Sequence, residues 1–154
     1  MNQFNLYSIP PLICGILTLC VGLFVFTKNT KSKVNITFFL FSLSAAIWLL
    51  FYGINYALSF TSINPEIIYW NYRIAYCGVF FIFIFFIHCL AIFYKFKTFN
   101  KLIILNYIVG FLASGLLLST DYIIVGLHKY FWGYYPKAGL LHPLFLSYFN
   151  VSST

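Results

Sequence analysis

Four apolar runs, each long enough to cross a bilayer, constrain this chain more than any other feature. Ile9 to Phe26, Ile36 to Leu58, Tyr69 to Tyr94 and Leu102 to about Thr120 carry almost no charge. As a helix, the second run reaches about 34 Å at about 1.5 Å per residue, enough to cross a hydrocarbon core about 30 Å thick. A water-soluble fold would have to cover such runs with polar surface, and only 7% of the residues are charged while 62% are hydrophobic. Soluble domains carry about 25% charged residues. The expected fold is therefore all-α: a polytopic membrane helix bundle of four transmembrane helices, an aromatic outer loop over 121–142, and the start of a fifth helix over 143–154. All of it forms a single domain across 1–154.

The first run opens on Pro10 and Pro11, whose missing amide protons cost a helix start little. The uncharged leader before it lacks the basic n-region and A-x-A-like cleavage site of a secretory signal. Pro65, in the short "TSINPE" turn, likewise suits a helix start.

The net charge of +7 does not point to nucleic acid, because the cations punctuate apolar runs instead of forming a patch. That is how membrane topology is written: lysine and arginine accumulate in short cytoplasmic loops. Lys28, Lys31, Lys33, Lys95, Lys97 and Lys101 fall on one side, and Arg73, Lys129 and Lys137 on the other together with both acids, Glu66 and Asp121. The expected orientation places the N-terminus outside and both lysine loops in the cytoplasm. Cys14, Cys20, Cys77 and Cys89 all lie within apolar stretches and read as packing residues.

The stretch "YFWGYYPKAGLLHPLF", from Tyr130 to Phe145, is too interrupted to span and too apolar for a solvated loop. Tyrosine and tryptophan favour the headgroup level, where a ring is half buried and its polar tip hydrated. Tyr130, Trp132, Tyr134 and Tyr135 are thus expected to form an outer aromatic lid. Gly and Pro mark turns that would fit a short hairpin, while an interfacial belt that merely anchors the bundle is the plainer alternative.

Ionisable groups inside a span are costly, and each calls for a role. Arg73 lies seven residues after Glu66, on the same helix face two turns on if the helix starts early enough; Asp121 is the competing partner. An ion pair there would fasten two helices, or leave one member to bind a polar ligand. His88 would titrate near pH 6.5 if exposed to water, but a hydrogen bond to a neighbouring helix is the more ordinary use of such a residue. It has no His, Cys or carboxylate three or four residues on, so no metal is expected, and no cofactor either. Small residues recur at Ser42, Ser44, Ala45 and Ala46, and at Gly110, Ala113, Ser114 and Gly115, as close helix packing requires. No phosphate loop, no H-E-x-x-H, no G-x-S-x-G and no paired carboxylates occur, so the chain is not expected to be an enzyme.

Several of these residues fall into a recognisable order. Ala45, Ala46 and Trp48 sit in the second run; Trp70, Arg73, Tyr76 and Gly78 open the third, with His88 further on; Gly133, Tyr134, Pro136 and Gly139 follow in the loop. This order resembles the N-terminal seven-helix sensor region of bacterial histidine kinases and related signalling proteins. Members often carry a proline after the Tyr–Gly pair, absent here from Val79 to Phe86, so a kink is not implied. The chain also stops where the family's fifth helix begins. The resemblance therefore implies an input module without its phosphorylated histidine and ATP-binding lobe. Its expected partners are the bilayer, a second copy, and a cytoplasmic signalling domain; the ligand is open. The contrasting reading is a small structural or accessory membrane protein held by packing alone. A transporter or channel subunit is weaker still, since no internal repeat or broken helix appears.

Overall fold

The computed structural model describes residues 5–95, 100–144 and 147. A 3-10 turn, Leu6–Ser8, leads into α1 (Ile9–Lys28), followed by α2 (Lys33–Leu58), α3 (Pro65–Phe93) and α4 (Asn100–Ser119). Two strands, β1 (Ile124–Tyr130) and β2 (Gly133–Ala138), follow. All four helices are long and apolar enough to cross a membrane. Of the segment expected to open a fifth helix, residues 143, 144 and 147 are helical, with the helical turn starting one residue earlier at His142; 145–146 and 148–154 lie outside the described residues.

Two of the helices, α2 and α3, begin ahead of their apolar runs because capping chemistry sets their starts. Ser32 caps α2 by accepting the Asn35 amide proton, so the helix begins at Lys33 and not at Ile36. Asn64 caps α3 by accepting the Glu66 amide proton at 3.0 Å, with Pro65 in the first turn. Both are favoured N-terminal arrangements. The early start of α3 brings Glu66 into the helix.

The main helix interfaces are α1 with α2, α2 with α3, and α3 with α4. Small residues set the close approaches. A Cβ on Gly22 would lie 2.5 Å from Ser42 Cβ, and one on Gly78 would lie 2.7 Å from the Ser44 carbonyl oxygen. Ser42, Ser44 and Ala46 are buried along α2 between these neighbours. Gly110 does the same for α4, facing Ile84, while Gly115 faces open space. Cys14 and Cys20 are exposed on α1; they do not pack as expected, because α1 meets the bundle through its glycine face.

The loop after α4 folds into the short two-stranded antiparallel hairpin that its Gly and Pro turns fit, a small sheet on a mostly helical fold. Pairing runs from Tyr130↔Gly133 to Ile124↔Ala138, with a bulge between Ile124 and Gly126. The backbone continues the pairing beyond β2: the Gly139 amide donates to Ile123 O at 2.8 Å and the Leu141 amide to Tyr122 O at 2.9 Å. Gly139 permits that contact, since a Cβ there would lie 2.2 Å from Tyr122 O. Ile123 and Ile124, both fully buried, join Phe80, Ala113 and Leu117 in one apolar cluster, which seats the base of the hairpin on α3 and α4.

Candidate functional site

Among the described residues, Arg73 is the buried charge, 3% exposed on α3. Its guanidinium reaches the C-terminal end of α4, where Nη1 donates to Leu118 O at 3.2 Å and Nη2 to Thr120 O at 2.9 Å. Those carbonyls are left without helical partners at a helix end, which is also the negative end of the helix dipole, so a cation is favoured there. Nη2 also donates to the Tyr69 hydroxyl at 2.6 Å and forms a short ion pair with Asp121 Oδ1. The guanidinium lies over the rings of Tyr69 and Trp70, at 4.6 and 4.9 Å from their centroids.

Tyr69 carries the link onward. Its hydroxyl faces Asp121 Oδ1 at 2.7 Å and Ile124 O at 2.8 Å, sharing one proton between a carboxylate and the first residue of β1. One knot therefore joins α3, the end of α4 and the base of the hairpin. The burial is one-sided: the Asp121 side chain is 70% exposed.

Glu66 is not part of the knot. The spacing that would pair it with Arg73 is overridden by Asp121, which the chain brings back from the far end of α4. Glu66 is exposed instead and lines an open groove of about 350 Å³ with Tyr69, Asp121, Gly126 and Leu127.

The lid residues are also bonded to the bundle. The Tyr134 amide donates to Ser59 Oγ at 3.0 Å, and the Tyr72 hydroxyl donates to Tyr134 O at 2.6 Å. Asn5 Nδ2 donates to Tyr56 O at 2.8 Å and to Trp132 O at 2.7 Å, tying the turn of the hairpin to the start of the chain and to α2. Tyr130 stacks on Trp132 at 4.6 Å, and Tyr135 meets Tyr52 and Tyr130 edge-on. Tyr130 and Tyr135 remain partly open, as residues at a headgroup interface are.

His88 lies apart from this site. Its Nδ1 sits 2.8 Å from the Tyr107 hydroxyl, a polar link between α3 and α4 nearer the lysine end. Asn5, Ser59, Tyr69 and Tyr72 make contacts at this end of the bundle that sequence reasoning missed. The only signal for Asn5 was a polar residue beside the first apolar run, and the tyrosines were hidden among many aromatics. Asn55, fully buried with neither amide atom partnered among the described residues, also escaped notice.

Tyr69, Tyr72, Arg73 and Tyr76 of α3 thus meet Ile124, Tyr134, Asp121 and His142 at one end of the bundle, while Gly78 packs against Ser44 further along α2. A family profile described as the N-terminal 7TM region of histidine kinase matches residues 10–151. The chain belongs to this family. No curated protein and no solved structure matches it. In this histidine-kinase membrane region, four spans and the hairpin lie within the described residues.

Proposed function

We propose that this chain is the sensory input module of a bacterial histidine kinase. It sits in the inner membrane with its N-terminus and hairpin outside and its lysine loops in the cytoplasm. A stimulus at the hairpin end biases the arrangement of the helices, and a cytoplasmic signalling domain, in a homodimer, reads that bias. The observation that carries the reading is the Arg73 knot: one buried side chain holds the end of α4, Asp121 and, through Tyr69, the first strand. A hairpin held this way cannot shift without changing bonds to two helices. A stimulus that prefers one hairpin position therefore has the differential affinity that a conformational signal requires.

The test is a full-length histidine kinase carrying this chain as its membrane region, reconstituted in liposomes. Arg73→Ala is expected to change basal autophosphorylation by at least about fivefold, the lower end of ordinary coupling energies, while membrane insertion stays normal. A normally inserted variant with unchanged autophosphorylation would overturn the reading. Labelling of a cysteine introduced at Phe131 by a membrane-impermeant reagent in intact cells checks the orientation.

A further inference from the structure

The hairpin has two edges; the bundle takes up the β2 edge at Tyr134 and touches the β1 edge only at its base. Tyr130↔Gly133 closes a two-residue connection, so the ladder bonds fall on that pair and on every second pair from it, His128↔Tyr135 and Gly126↔Lys137. In the pairs between, Lys129↔Tyr134 and Leu127↔Pro136, the backbone groups point away from the partner strand. On β2 this outer edge is consumed. The Tyr134 amide donates to Ser59 and its carbonyl accepts from Tyr72, and Pro136 has no amide proton to offer. On β1 the amides and carbonyls of Leu127 and Lys129 turn to an edge that carries no further strand, and no hydrogen bond among the described residues takes them up. Only Ile124 O, at the base, is satisfied there, by Tyr69.

The 350 Å³ groove runs beside this open edge, between β1 and the start of α3. Gly126 lines it without a side chain, and a Cβ there would meet nothing within 4 Å. Its charged groups are both acidic. Glu66 is exposed with only its backbone amide engaged, and Asp121 is 70% exposed, spending Oδ1 on the knot. The groove therefore offers acceptors to a cation, while the strand offers alternating donors and acceptors to another backbone. Lys129, further along the same edge, disfavours a second cation at that end.

We propose that β1 takes a third strand from a partner: an extended basic peptide segment whose backbone pairs with Leu127 and Lys129. One lysine or arginine side chain of that segment enters the groove against Glu66 and Asp121. Strand addition of this kind draws affinity from main-chain hydrogen bonds and specificity from the neighbouring pocket. The proposal deepens the sensory reading by naming the class of ligand, yet binding is measurable on the chain alone.

The test uses the full chain in nanodiscs of zwitterionic lipid and a capped hexapeptide of alternating threonine and valine with one central lysine, followed by calorimetry. The same peptide with glutamate in place of lysine, and one N-methylated at alternate backbone amides, are the controls. Saturable binding is expected for the parent peptide, weaker by at least about tenfold for each control, since each loses a charge contact or about two hydrogen bonds. Glu66→Gln, which removes no hydrogen bond of the fold, should weaken the parent about fivefold. No binding at millimolar peptide, equal binding to empty nanodiscs, or equal affinity for the N-methylated peptide would each overturn strand addition. Failure here with an altered kinase output on Arg73→Ala would leave the sensory reading standing. Peptide binding without any effect of Arg73→Ala would do the reverse.

Discussion

Replacing Arg73 by methionine and replacing Asp121 by asparagine break the same ion pair, yet they should differ several-fold in cost. Arg73→Met removes the donor to Leu118 O, Thr120 O and the Tyr69 hydroxyl. At about 1 kcal/mol net for each hydrogen bond, that comes to about 3 kcal/mol. The ion pair itself adds little, because the Asp121 side chain is 70% exposed and a pair screened by water is worth at most about 1 kcal/mol. Asp121→Asn keeps an oxygen for Arg73 and Tyr69 and leaves the guanidinium on its three neutral acceptors, so its cost should stay below about 1 kcal/mol. Equilibrium unfolding of each variant in mixed micelles reads the difference. Hydrogen exchange at the Ile124 to Tyr130 amides should show the hairpin loosening with Arg73→Met and staying near wild type with Asp121→Asn. Equal destabilisation by the two, or a larger loss with Asp121→Asn, would refute the one-sided account of the pair.

Gly78→Ala should cost about 1–3 kcal/mol of stability by forcing α2 and α3 apart, since its Cβ would lie 2.7 Å from a backbone oxygen; Gly115→Ala, which meets nothing, should be neutral or slightly stabilising in the same unfolding assay. Gly133→Ala should cost about 1–3 kcal/mol, because the residue holds φ at +137° and a Cβ would lie 2.8 Å from Ser59 Oγ; loss of exchange protection at the Tyr134 amide would report it. Burial holds the His142 imidazole below its ordinary pKa of 6.5, so the unfolded chain takes up a proton before the folded one does. Stability is then full above pH 6.5 and falls as pH drops below it, and His142→Gln should flatten that part of the unfolding profile.

Long apolar runs made the spans legible, because four of them leave a chain with 7% charge no other use. Hydropathy marks the part of a helix that needs lipid, whereas caps mark where it begins. That is why α2 and α3 start three and four residues ahead of their apolar runs, at Lys33 and Pro65. The hairpin was legible only as an option, from Gly133, Pro136 and Gly139. Its docking depends on partners far away in the chain: Asn5 bonds Trp132, and Ser59 bonds Tyr134. No local pattern encodes such contacts. The spacing of Glu66 and Arg73 was a sound local clue that a distant carboxylate outcompeted. Tyr69 could not be singled out among 13 tyrosines, although it carries the contact from Arg73 to β1.

Signalling through this region requires that the hairpin and the lysine end of the helices move together. That coupling is tested most directly by the distance between spin labels at positions 28 and 101, on a background with its native cysteines replaced. The distance is compared in the otherwise unaltered chain and in Ser59→Ala with Tyr72→Phe, which removes both bonds from the bundle to Tyr134. With hydrogen exchange establishing that the hairpin has come free, a shifted or broadened distance distribution is expected. A freed hairpin with an unchanged distribution would contradict the coupling.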